Sequence, residues 1–284
     1  MQQQEHKALS SELQNNLSQL KDRRSNWETH WQEVADLIIP RKSDIVDQKV
    51  RGDKRHLQVF DATAIHSLEL LASSLHGMMT SSANRWFSLR FKETVLNEND
   101  AAKEWLEDVT DKMYVAFQRS NFQQECFEIY HDLLCSFGTA AMFIEADEND
   151  IIRFSARHIK EIYISENARG LVDCIYRRFK ISAKAAIEKF GIDNISRQLQ
   201  TLSKKSPFED VEICHVVKPR DIYNPNKKDQ KNMPFVSIYY ETETGHIISI
   251  SGFNEFPYVV PRYLKASNEI YGRSPAMNSL PDVK

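Results

Sequence analysis

The chain has 284 residues, 41% of them hydrophobic and 10% aromatic, enough for one large core or two ordinary ones and far from a disordered composition. Lysine and arginine number 37 against 40 aspartates and glutamates, a formal net charge of -3. That balance excludes a protein that clings to nucleic acid through a strongly basic surface, but not one past which DNA slides.

Leu9, Leu13, Leu17, Leu20, Trp27, Trp31, Val34 and Ile38 recur at spacings of three, four or seven, which predicts one apolar stripe on a long helix stopped by Pro40. Such a stripe serves the chain's own core, a coiled-coil seam or a neighbouring subunit. Residues 41–57 are rich in charge, with Arg41, Lys42, Lys49, Arg51, Lys54 and Arg55 interleaved with Asp44, Asp47 and Asp53, and read as a solvated loop. Asp61 is placed to cap a helix carrying Ile65, Leu68, Ala72, Leu75 and Met79. Residues 84–91 alternate in the manner of a strand. Helices are expected from about Asp100 through Phe117, and from Phe122 to Phe137 with Gly138 as the terminating residue.

Beyond Gly138 the pattern shifts to short strands in a meander: residues 139–146, 151–158, 161–166 and 171–181, separated by turn-forming clusters. A short helix follows, capped by Ser182 and closed by Gly191, then a weaker one over residues 196–204. Residues 211–217 and a hairpin turning at 243–246 complete the strands. Phe253, Phe256, Tyr258 and Tyr263 offer large contact areas on a path held extended by Pro257 and Pro261, and Ser274 or Pro275 is suited to begin a further helix. Helices first and strands later make the class α+β. The final helix has barely begun at Lys284, so the expectation is a chain cut short within a longer subunit.

The eight glycines exclude a good deal, because the closest two, Gly245 and Gly252, are seven positions apart. Neither a phosphate-cradling Walker loop nor a dinucleotide fingerprint can be assembled from that spacing. Cys126, Cys135, Cys174 and Cys214 form no CxxC pair and read as free buried thiols of a reducing compartment. No signal peptide opens the chain, and its most apolar segment, residues 68–79, is interrupted by Glu69 and His76 and too short for a bilayer, so a soluble protein made in the cytoplasm is expected. Two Glu-x-x-His pairs, Glu128/His131 and Glu212/His215, match di-iron spacing, but the second lies in a strand pattern, where its members point to opposite faces. Cys214 beside His215 fails as a nucleophile and base for the same reason, and no G-x-S-x-G elbow is present. No catalytic residue, cofactor or metal ligand is therefore assigned.

A set of short motifs in fixed order carries more information. Arg24-x-x-Trp27-x-x-x-Trp31 precedes Pro40, and Asp61-Ala-Thr63 precedes Leu71-Ala-Ser-Ser-Leu75 and Arg85-Trp86-Phe87. Gly138-Thr139 follows, then Glu166-Asn167 with Gly170 and Asp173, Arg178-Phe179, and His215-Val-x-Lys-Pro-Arg220. Gly252-Phe253-x-Glu255-x-Pro257, Arg262 and Tyr271-Gly272-Arg273-Ser274-Pro275 end the series. In this order they make the chain resemble the head-to-tail connecting, or portal, proteins of short-tailed, podovirus-type bacteriophages almost end to end. Ala83 departs where that family often has proline, and Tyr263 where it often has tryptophan.

The resemblance implies a non-enzymatic structural subunit of a ring of about twelve copies at one capsid vertex, found in the virion and, during assembly, in the host cytoplasm. Double-stranded DNA would pass through the ring, and terminase, capsid or scaffold and tail adaptor proteins would be its partners, with no membrane. The resemblance also implies a helical wing region over residues 1–137, a β-rich wing region with short helices over 138–264, and the truncated approach to a stem over 265–284. Subunit contact would run through the long first helix and the aromatic segment 253–263. A cytoplasmic helical adaptor binding through the Leu9–Ile38 stripe, and a metal-dependent enzyme built on the Glu-x-x-His pairs, are the alternatives from other classes.

Overall fold

The computed structural model of the chain describes residues 2–47, 52–55, 59–227 and 229–284, the side chains of residues 2–5 excepted. Lys49 and Arg51 of the charged loop lie outside the described residues. Long helices come first and antiparallel sheets after them, the expected α+β arrangement. The chain divides into two compact units, Met1–Thr29 with Lys160–Pro257, and His30–Ile159 with Tyr258–Lys284.

In the first unit, strands β3 (Ile162–Glu166), β4 (Val172–Ser182), β5 (Asp210–Pro219), β6 (Phe235–Glu241) and β7 (Ile247–Phe253) form one antiparallel sheet in that order. The first part of helix α1 (Gln2–Leu37) supplies Leu13 and Leu17, which are buried with Tyr163, Tyr176, Cys214, Val216, Ile238 and Tyr240. The opposite face of the sheet receives helices α6 (Ala183–Phe190) and α7 (Arg197–Lys205), capped by the hydroxyls of Ser182 and Ser196. Ala183, Ala186, Ile195 and Leu199 close there over Phe179, Ile213 and Ile248. Both faces of β5 are thus covered, which accounts for its nearly continuous apolar run.

Arg24 is the unusual member of this unit, a guanidinium only 2% exposed. It donates to the carbonyls of Ile162, at 2.5 Å, and Lys160, at 3.1 Å, pairs with Glu28, and lies 3.7 Å over the Tyr163 ring. The charge is tolerated because every direction it faces supplies an acceptor or a π face.

In the second unit, helices α2 (Thr63–Met79) and α3 (Asp100–Arg119) precede α4 (Phe122–Glu128), a π-helical turn (Ile129–Leu134) and α5 (Cys135–Phe137). A second antiparallel sheet runs in the order β2 (Ile151–Ala156), β1 (Met142–Asp147), β8 (Tyr258–Val259), and helix α8 spans Pro275–Val283. Asp61 does accept the Thr63 amide, at 2.8 Å, but the residue in the N-cap position is Ala62.

Three expectations are corrected, and the compact units follow other bounds than the blocks 1–137, 138–264 and 265–284. β2 pairs with β1 and β1 with β8 near the end of the chain, whereas β3 to β7 form their own sheet over the start of α1. The meander is therefore two sheets. Residues 84–91 form no strand. Side chains take the place of a partner strand: the Tyr114 hydroxyl donates to Phe87 O and accepts from the amides of Trp86 and Phe87, while Asn97 bonds the amide and carbonyl of Phe91. The charged loop also begins pinned rather than solvated. Lys42 reaches Glu128 at 3.0 Å and the buried Asp132 at 3.3 Å, Arg41 pairs with Asp132, and Gln32 accepts the amides of Ile45 and Val46.

The apolar stripe of α1 is spent inside the chain: Leu13, Leu17, Trp31, Val34 and Ile38 are all at most 3% exposed. Its buried members are therefore not available as a coiled-coil seam or as a free face for an adaptor's partner. Leu13→Ala is expected to cost about 3 kcal/mol by leaving a cavity under the sheet, read as a lower urea midpoint for loss of far-ultraviolet circular dichroism.

Candidate functional site

The motif residues that lie far apart in sequence meet in the second unit where two stretches of main chain cross. Gly138 ends α5 in the left-handed conformation, φ +75°, and its amide returns to Leu134 O at 3.0 Å. Its carbonyl accepts the Tyr263 amide at 2.9 Å, and Thr139 makes an isolated bridge with Arg262. Gly272 crosses directly over this point. A Cβ on either glycine would overlap the other's carbonyl oxygen. Only hydrogen fits at both positions.

Side chains lock the crossing. The Thr139 hydroxyl accepts the Gly272 amide at 2.7 Å, and the Ser274 hydroxyl donates to Ser136 O at 2.7 Å while accepting the Met277 amide as the N-cap of α8. Pro275 occupies the first turn of that helix, where no amide is needed. The fully buried Trp31 donates its indole N–H to Phe137 O at 3.1 Å and meets the Tyr271 ring edge-on at 5.1 Å. Arg273 exchanges main-chain bonds with Leu264 and pairs with Glu269 at 2.5 Å. Thus Trp31, Gly138, Thr139, Tyr271, Gly272, Arg273 and Pro275 form one locus.

The other motif residues lie elsewhere. Trp86 stacks on Phe122 at 5.8 Å and 7° and on Phe117 at 6.1 Å and 27°, in an aromatic group extended by Phe154, while neighbouring Arg85 pairs with Asp111. In the first unit, Gly252 passes close to loop residues: its missing Cβ would sit 2.6 Å from Gln230 O. Phe256, one residue before the buried Pro257, packs on Phe235 at 5.5 Å, and Trp27 is half-buried on α1. The aromatic segment is largely internal: Tyr258 is 4% exposed against Phe143, leaving Tyr263 as its exposed ring.

The chemistry-bearing candidates are engaged structurally. Glu128 pairs with Lys42, and the His131 imidazole sits between Arg41 and Asp132, its pKa lowered by burial and by the Arg41 charge. Glu212 pairs with Arg178 at 2.9 Å, and His215 stacks flat on Tyr239 at 4.0 Å while bonding Ser237. Cys214 points to the other face of β5, among the residues packed on α1. Among the described residues no cluster of three or more histidine, cysteine, aspartate or glutamate side chains could hold a metal ion. No helix among them is long and apolar enough to cross a membrane. A groove of about 1150 Å³ between the end of α1, α2 and α8 is lined by residues such as Ile38, Phe60, Leu68, Leu71 and Ala276, with no histidine, cysteine or arginine in its wall.

The four cysteines are free thiols, three of them buried. Burial pushes Cys126, Cys174 and Cys214 up to about 12 and Cys135 to about 11. Iodoacetamide at pH 8 is expected to leave all four unmodified in the native chain and to alkylate all four in guanidinium, as counted by mass spectrometry. The crossing supplies a second prediction. Gly138→Ala and Gly272→Ala should each cost about 3 kcal/mol through overpacking, with left-handed strain added at position 138. Their double variant should cost well under the sum, since moving one strand relieves both overlaps. Melting temperatures of the three variants provide the check.

Residues 10–284 match the family described as bacteriophage head to tail connecting protein. The chain is similar to the probable portal protein of Bordetella phage BPP-1, 33% identical over 270 residues, which cover 94% of this chain and 48% of that protein. It is equally similar to the portal protein of Salmonella phage epsilon15, 33% identical over 273 residues, covering 94% and 49%. The chain spans about half the length of these relatives. Matched along nearly all of its own length, the chain belongs to the bacteriophage head-to-tail connecting protein family.

Proposed function

We propose that this chain acts as a structural portal subunit of a tailed phage or prophage, assembling as a ring of about twelve copies at one vertex of the capsid in the virion. Double-stranded DNA enters and leaves through the ring, driven by a separate terminase, with capsid or scaffold and tail adaptor proteins as further partners. The observation that carries this reading is the similarity of 94% of the chain to two proteins named as portal proteins. The residues of this chain support it. Its motif residues are engaged in packing, its buried thiols are poor nucleophiles, and its glycine spacing holds no phosphate loop.

The net charge of -3 describes this portion of the subunit and is no measure of the channel. Six to ten firm phosphate contacts would give tight, salt-dependent binding, which would brake DNA in transit. A sleeve has to let the duplex move. Tail type and subunit number are part of this proposal. Native mass spectrometry and negative-stain electron microscopy on the protein expressed from its complete reading frame should show closed rings with a central hole. A species that stays monomeric at micromolar concentration would overturn the reading.

A further inference from the structure

Side chains cover parts of two exposed sheet edges, those of β2 and β3. A bare edge is a row of unpaired amides and carbonyls that invites another strand. On β2 the Asn121 carboxamide bonds both the amide and the carbonyl of Phe154, at 3.0 and 2.8 Å, and Glu125 accepts the Ala156 amide at 2.6 Å. On β3 the Arg24 guanidinium covers the Ile162 carbonyl. Side chains blunt these edges from within the chain.

Residues 85–91 break the pattern. They are free of helix, turn and bend, and the main-chain groups of every second residue turn toward the same few side chains. Phe87 bonds Tyr114, Leu89 bonds Thr110 at 3.4 Å, and Phe91 bonds Asn97. Two residues of extended chain advance about 6.6 Å, and the four residues from Tyr114 back to Thr110 on α3 advance about 6 Å, so the segment runs extended along the helix. Its inner edge is used at the amides of Phe87, Leu89 and Phe91 and at the carbonyls of Phe87 and Phe91. The outer edge belongs to Ser88 and Arg90, both exposed, and their amides and carbonyls have no partner among the described residues. Arg90 and Lys92 likewise have no carboxylate partner there, while Arg85 is held by Asp111.

A complementary edge lies on the same chain. Phe154 and Ala156 share the outer side of β2, so two residues earlier Ile152 is the next outward position, and its main-chain groups there are unpaired among the described residues. This uncapped end adjoins the β1–β2 turn, which carries Glu145, Asp147, Glu148 and Asp150 against the single cation Arg153. Asp147 accepts the amides of Asn149 and Asp150, while Glu148 and Asp150 have no cation partner among the described residues. A main-chain edge with such cations and a main-chain edge with such carboxylates, both unfilled within one copy, are the two halves of a head-to-tail contact.

We propose that the outer edge at Ser88 and Arg90 takes, in a second copy of this chain, the uncapped end of β2 at Ile152, with the acidic β1–β2 turn of that copy set against Arg90 and Lys92. The inference rests on the ring reading above and adds where adjacent copies touch. Each copy gives one edge and receives another, the arrangement that closes a ring instead of a two-fold pair.

The test uses the protein from its complete reading frame and reads assembly by native mass spectrometry. Ser88→Pro removes an amide with no internal partner in a segment already extended, so circular dichroism and melting should stay unchanged while self-association weakens about tenfold or more. Arg90→Glu should weaken it as well, and Arg90→Glu combined with Glu148→Lys and Asp150→Lys should restore it. Rings that form normally with both Ser88→Pro and Arg90→Glu would overturn this contact while leaving the ring reading intact. Loss of assembly with no rescue by the charge exchange would overturn the acidic turn as the occupant and point to another partner strand. A wild-type protein that never assembles would instead remove the ring reading itself.

Discussion

Two peptide planes pass so closely at Gly138 and Gly272 that neither residue can carry a side chain, and much of the second unit is arranged around that passage. The crossing fixes where α5 stops, because Gly138 is left-handed there, and where α8 starts, because Ser274 both caps that helix and ties it to Ser136. It sets β1 beside the returning chain through the bonds of Gly138 to Tyr263 and Ala140 to Pro261. Trp31 closes the space underneath, bonded to Phe137 and packed on Tyr271. Removing any of these groups unmakes a joint between segments more than a hundred residues apart. The motif residues gathered at this crossing are thus held by packing and hydrogen bonds.

Buried charge in the described residues is held by close partners. Arg24 binds two carbonyls at the edge of β3, and Asp132 draws Arg41 and Lys42 down onto the π-helical turn. Each ion is kept because its partners leave little of it unpaired, the condition under which a buried pair holds geometry without a large net penalty. The same economy appears at the sheet edges, where Asn121, Glu125 and Arg24 stand in for missing strands. A subunit meant for ordered association must suppress the wrong pairings and leave the right ones open. The contact proposed at the uncovered edge beside Arg90 draws on that contrast.

Local signals were legible wherever one residue imposes a conformation on its neighbours. Ser182 caps its helix and Ser274 begins another as expected, Gly138 and Gly191 terminate helices, and the β6–β7 hairpin turns where its Thr and Gly residues place it. The alternation of residues 84–91 was read correctly as extended chain and wrongly as a strand. Periodicity records which side chains are half-buried, but not whether the main chain finds another strand or, as here, Tyr114, Thr110 and Asn97. The charged loop misled for a related reason. Lys42 looks solvated until the buried Asp132 is known to lie beneath it.

By itself, then, the amino-acid sequence determined the α+β class, several helix caps and terminators, the family through the order of its motifs, and a glycine spacing that holds no phosphate loop. All of these depend on residues close together along the chain or on their linear order. The tertiary structure alone decided that Gly138 and Gly272 face each other, that β1 and β2 join β8 instead of β3, and that α1 spends its apolar stripe within its own chain. Each of those outcomes depends on which distant backbone edge or apolar face is nearest once the chain has collapsed. Linear spacing carries no record of that.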